Sequence, residues 1–169
     1  ATDNARITNL HLSNATIHGS YYTGAVIGYA YESHIQNVTI TGTVSTPHKF
    51  VGGAIGFTEN TTTVLNTHTN TSVSGTSDVG GLIGVNNDAT VSNSYSTGTV
   101  TGTHIVGGLI GNNTGYVTNS HTHAHVSGKH TVGPLIGQTT QTSYISNSFW
   151  THTPHTTTEP PNTIGTKTK

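Results

Sequence analysis

A parallel β-solenoid, all-β and wound in about five to six coils of 26–28 residues, is the fold this 169-residue chain predicts. Three observations carry the prediction. The segment T-G-A-V-I-G (Thr23–Gly28) returns as V-G-G-A-I-G (Val51–Gly56), V-G-G-L-I-G (Val79–Gly84), V-G-G-L-I-G (Val106–Gly111) and V-G-P-L-I-G (Val132–Gly137), and its closing glycine advances by 28, 28, 27 and 26 residues. A second block keeps the same beat: I-T-N-L (Ile7–Leu10), I-Q-N-V (Ile35–Val38), V-L-N-T (Val64–Thr67), V-S-N-S (Val91–Ser94), V-T-N-S (Val117–Ser120) and I-S-N-S (Ile145–Ser148). Between the blocks lie short β-branched runs broken by Gly, Asn and Thr, with no helical period.

A unit this short cannot bury its own apolar side, but a stack of such units can, with rungs ~4.8 Å apart. Right-handed winding is the expectation for coils of this length. Within a coil, the asparagine of the second block (9, 37, 66, 93, 119 or 147) is expected to join a ladder of side-chain amides. After it, positions +1, +3, +5 and +7 hold small or β-branched residues ending in Val44, Val73, Val100 and Val126, so they face inward. Positions +2, +4 and +6 then face outward. The glycine block supplies further inward ladders through Val106, Ile110 and their counterparts, and its paired glycines permit tight bends or close backbone contact. Pro134 replaces the second glycine of its pair, which predicts a bulge or an exposed edge at that coil. The next loop carries Glu32, Asn60 and Asp88, and places Glu32 and Glu59 within reach of one another on neighbouring coils. Residues 1–150 thus form the solenoid domain. Residues 151–169 are a Thr/Pro-rich tail, either a linker or a cover for the last coil's edge.

Composition narrows the function. Charged residues are 7% of the chain and the formal net charge is −1, so there is no basic footprint for nucleic acid at neutral pH. Without Cys there are no disulfides, no thiol nucleophile and no Cys-based zinc site. No run approaches the ~18 apolar residues of a membrane span, so membrane insertion is not expected. The chain opens on Ala1, which predicts a mature or excised piece of a longer protein.

The glycine block resembles the GLUG repeat, whose G-L-[V/I]-G core stands here as Gly81–Gly84 and Gly108–Gly111, followed by N-S-Y-S-T-G-T-V-T-G (Asn93–Gly102). The opening I-T-N-L-H-L-S-N-A-T-I is similar to the first unit of such arrays, and N-S-F-W (Asn147–Trp150) to the last. The resemblance covers roughly residues 7–150. GLUG arrays occur in large secreted or cell-wall proteins of bacteria, including adhesins and some surface peptidases. The resemblance therefore implies an extracellular, cell-surface location and a non-catalytic adhesive or spacer role, with no catalytic residue to carry over.

The histidines are the candidate functional groups. His121, His123 and His125 fall on the outward positions +2, +4 and +6 of one coil. Down the +2 column run His11, Thr39, His68, Tyr95, His121 and Phe149, so Tyr95, His121 and Phe149 are expected to stack as an aromatic ribbon, either as plain surface packing or as a platform for sugar rings. A second column places His104 beside His130, with His48 near its line. His121 and His123, at i and i+2, would suit two ligands of a zinc ion, but the remaining ligands would have to come from His68, His130 or a second molecule. Twelve histidines outnumber all other ionisable Lys, Arg, Asp and Glu side chains, and protonating them all would carry the formal charge from −1 to +11. Acid would thereby favour anionic polysaccharide. The acids, in contrast, are scarce and sit in turns, so an enzyme is not expected. The expectation is a non-catalytic module binding host or environmental glycans or anionic polymers through its exposed His and Tyr columns. The alternatives are a passive stalk or self-association module, and zinc capture by histidine.

Overall fold

The computed structural model describes residues 1–151 together with two short strands at 155–156 and 166–167. The protein is all-β, and parallel strands stack coil on coil into a solenoid of about five turns. Each turn visits three sheets. The long sheet is built from Arg6–His18, His34–Ser45, Thr63–Ser74, Thr90–Ser92 with Tyr95–Thr101, and their counterparts in later coils. A Val-Gly sheet follows, from Lys49–Gly52, Ser77–Gly80, His104–Gly107 and Val132–Gly133. The chain then bends into an Ile-Gly sheet containing Ile27–Tyr31, Ile55–Glu59, Ile83–Asn86, Ile110–Asn113 and Ile136–Thr139. Register is strict, with Val100 opposite Val73 and Val126, and Ile110 opposite Ile83 and Ile136.

The alternation predicted after each asparagine holds. Val44, Val73, Val100 and Val126 are buried, and with Val51, Val79, Val106 and Val132 they fill a core between the long and Val-Gly sheets. Ile55, Ile83, Ile110 and Ile136 fill a second core with Ile35, Val64, Val91 and Val117, between the long and Ile-Gly sheets. The two cores exist because the Val-Gly and Ile-Gly sheets touch backbone to backbone. A Cβ at Gly107 would collide with the Ile110 carbonyl and the Gly137 amide, and one at Gly80 with Ile83 and Gly111. The middle glycine answers to the neighbouring coil instead: at Gly53, Gly81 and Gly108 a side chain would strike the carbonyl of Gly81, Gly108 and Pro134 in turn. The glycines are therefore steric requirements of stacking. Pro134 lies on Val132–Gly133's coil, the terminal strand of the Val-Gly sheet, as the edge expectation had it. Pro134 is itself buried there.

Asn9, Asn37, Asn66, Asn93, Asn119 and Asn147 all adopt left-handed φ, between 47° and 57°, and turn the long sheet through a corner. Asn37 Nδ2 donates to Asn9 Oδ1 at 3.0 Å, Asn66 to Asn37 at 3.2 Å, and Asn147 to Asn119 at 3.2 Å. The amide ladder is thus real but interrupted at Asn93. The serine after the asparagine is the more regular device. Ser94 Oγ donates to Ser92 O at 2.8 Å and accepts from Thr67 N at 3.1 Å, and Ser120 and Ser148 repeat the pattern one and two coils on. The hydroxyl closes the corner of its own coil and holds an otherwise orphaned amide of the coil before.

The tail's strands pair with the last coil, His155–Thr156 against Ser127–Gly128 and Thr166–Lys167 against Phe149–Trp150. The rest of the predicted 151–169 tail lies outside the described residues.

Candidate functional site

The outward +2 column becomes one continuous pile of rings. His68 stacks on Tyr95 with centroids 4.1 Å apart, Tyr95 on His121 at 5.0 Å, and His121 on Phe149 at 5.0 Å, with interplanar angles of 24°, 18° and 7°. The sequence placed three of these rings in a ribbon, and the structure adds His68. The strand spacing fixes this geometry, since one ring per rung at ~4.8 Å leaves offset stacking as the low-energy arrangement. Next along the strand, His123 and His125 are exposed. His123 Nδ1 is hydrogen-bonded to Thr151 Oγ1.

Stacking has an electrostatic consequence. Burial pushes the His68 pKa below its ordinary 6.5, the His121 charge pushes it the same way, and the Thr67 backbone offsets part of this. Burial alone lowers His121. Both rings thus resist protonation. Nδ1 of His68 is buried and makes no hydrogen bond of normal geometry. Beside it opens a cleft of about 190 Å³ lined by Thr39, Ile40, Thr41, His68, Thr69, Asn70, Tyr95 and Thr97.

His104 and His130 stack as expected, at 5.0 Å and 17°. His48 does not share their column. Lys49 lies opposite Ser77, which lies opposite His104, so His48 is one residue out of register and stacks on Tyr21 at 4.5 Å instead. Glu32 and Glu59 do not approach as a pair. Register sets Glu59 opposite Tyr31, and each acid accepts from an asparagine of the next coil: Asn60 Nδ2 reaches Glu32 at 3.0 Å and Asn87 Nδ2 reaches Glu59 at 3.5 Å. Among the described residues no three His, Asp or Glu side chains come together as metal ligands. His121 is held between two rings while His123 bonds Thr151, so the two point to different partners.

One aromatic assembly escaped the sequence reading. Tyr22 stacks on Phe50 at 5.0 Å and Tyr29 on Phe57 at 5.3 Å, and the two pairs meet edge to face, Tyr22 with Phe57 at 5.7 Å and Phe50 with Phe57 at 5.8 Å. Lys49 Nζ sits 4.6 Å from the Phe50 centroid. Phe50 lies on the Val-Gly sheet and Tyr22 just before the Thr23–Val51 bridge at its edge, whereas Tyr29 and Phe57 lie on the Ile-Gly sheet. Only the glycine contact between those sheets brings them together. A second missed pair, Tyr116 and Tyr144, is exposed and tilted at 6.3 Å.

The comparisons with known proteins agree with this architecture. The GLUG motif model matches residues 19–45 and 75–101, within the 7–150 span of the sequence resemblance; the second match holds Gly81–Gly84, and Gly108–Gly111 lies outside both. Among curated proteins none matches the chain. A solved structure of a putative immunoglobulin A1 protease from Bacteroides ovatus matches with a TM-score of 0.67 at 16% identity, over 96% of this chain and 65% of that one. At that identity the likeness is one of fold, and the chain spans less than two thirds of that structure.

Proposed function

We propose that this chain is a non-catalytic repeat module of a secreted or cell-wall-attached bacterial protein, and that it binds glycans through the ring stack of His68, Tyr95, His121 and Phe149. The single observation that carries the reading is the uninterrupted four-ring pile on an outward sheet face, flanked by hydroxyl, amide and imidazole side chains. Stacked rings offer an apolar surface, and the flanking groups supply the polar contacts that a sugar needs. The rigid coil holds them in place without a further ordering cost at binding.

Acid adds a second contribution. The stack takes up protons less readily than a free imidazole as pH falls, because burial disfavours charge on His68 and His121. An anionic polysaccharide on this face would meet the exposed side chains of His123 and His125, which lie next along the strand from His121. The acids support a non-catalytic role, since Glu32 and Glu59 are each engaged in hydrogen bonds between coils. No cofactor is required, and zinc capture by His121 and His123 is the less favoured reading because their partners differ.

A glycan array probed at pH 7.5 and 4.5 with the native chain and with Tyr95→Ala tests the proposal. Binding lost in Tyr95→Ala supports it. An unchanged affinity for polyanions between the two pH values removes the acid contribution. No ligand at either pH favours the passive stalk or self-association module.

A further inference from the structure

The ring pile stops one coil short of a possible longer run. His11, Thr39 and His68 occupy the same column on consecutive coils, so Thr39 stands where a ring would continue the stack. Among the described residues, no ring stacks on the face of His68 away from Tyr95. The cleft reaches this missing rung, with Thr39 and His68 in its lining, and extends along the flank of the pile past Thr41, Asn70, Tyr95 and Thr97.

The geometry points to a binding slot for a single neutral pyranose ring, stacked on His68 in the place that a side-chain ring on Thr39's coil would fill. This deepens the glycan reading above and rests on it. Three features select the ligand class. His68 and Tyr95 are the aromatic residues of the lining, and Tyr95 covers one face of His68, which leaves the face toward Thr39. A pyranose meets such a ring face with its own face of C–H groups. The rim is made of hydroxyls and an amide. Thr41 Oγ1 accepts from Asn14 N at 3.0 Å and Thr97 Oγ1 donates to Thr69 O at 3.3 Å, while Thr39 and Asn70 use none of their side-chain polar atoms within the chain. Equatorial sugar hydroxyls are the natural partners of such a rim. Finally, no Lys, Arg, Asp or Glu lines the cleft, so a charged sugar gains nothing there over a neutral one. The volume of about 190 Å³ has room for one ring and not for a chain of them.

NMR titration of the chain with methyl β-D-galactopyranoside and methyl β-D-glucopyranoside at pH 7.5 tests the slot. The expected result is saturable shifts confined to Thr39, His68, Asn70, Tyr95 and Thr97, with a Kd of about 1 mM, as suits a small one-ring site. Thr39→Phe, which completes the column with a protein ring, should weaken binding at least tenfold without lowering Tm. Asn70→Ala, a change at an exposed rim residue, should weaken it about threefold, and serves if the larger variant folds poorly. Shifts that survive both substitutions, or that centre elsewhere, overturn the slot. If neither glycoside binds while array glycans still bind in a Tyr95-dependent way, the slot is wrong and the platform reading stands. If no glycan binds anywhere, the platform reading falls with it.

Discussion

The molecule carries two aromatic assemblies, and they are built on opposite plans. The His68–Tyr95–His121–Phe149 pile takes one residue per coil from one strand position, so its rings are near parallel and each stays half-exposed. The Tyr22–Phe50–Tyr29–Phe57 cluster draws on two sheets, and its edge-to-face contacts turn each ring's edge onto another ring's face. Such a cluster turns ring surface onto itself, although Tyr22 stays exposed. A pile leaves its edges and its end face available, so the first assembly is suited to binding and the second to holding the first coils together.

Substitutions separate the two. The largest effect is expected for Gly56→Val, because a side chain there would collide with the Thr23 amide and the Tyr22 backbone, prising Tyr22 from Phe57. Urea denaturation should show a loss of about 3 kcal/mol or more, as for an overpacked backbone contact, or no folded protein. Phe57→Ala should cost about 2 kcal/mol, since the ring is half-buried, and should leave glycan binding intact. If binding fell with it, the assignment of this cluster to stability would be wrong. Tyr95→Ala should show the converse: about 1 kcal/mol of stability for its two ring contacts, with binding abolished.

A pH titration sharpens the comparison from another side. His68 and His121 take up protons less readily folded than unfolded, so the unfolded state binds more protons once pH falls through their ordinary 6.5. Stability should therefore be highest above that value and decline on acidification, levelling off only below the lowered folded pKa values. Melting curves at pH 7.5 and 5.0 should show the decline, and His121→Phe should reduce it by removing one of the two groups and the repulsion with His68. An equal decline in that variant would place the effect elsewhere. The smallest effect is a control remote from both assemblies. Ile105 is a β-branched residue held at φ 45°, and Ile105→Asn should raise stability by about 1 kcal/mol, read from the shift in urea midpoint.

Much of what repeats along the chain is legible in the sequence, although Tyr116 and Tyr144, register partners one coil apart, were not paired from it. The glycine block set the coil length, the asparagine set the origin of the inward and outward positions, and the two together put Tyr95, His121 and Phe149 in one column and His104 beside His130. This works because a parallel stack maps sequence period onto vertical register. His48 shows where the mapping fails, as a shift of one residue moves a side chain to a different column.

What lay across the coil was not legible. No period relates Tyr22 to Tyr29 or Phe50 to Phe57, and their meeting depends on two sheets touching through glycine. Nor could the sequence reveal the cleft, which is an absence at Thr39 given meaning by the ring below it. The sequence by itself determined the solenoid, its register and the outward face of the histidines, because each follows from a repeat length and a two-residue alternation. The tertiary structure alone decided which faces touch, which imidazoles are buried enough to resist protonation, and where a space remains, because those depend on distances between residues that no linear spacing encodes.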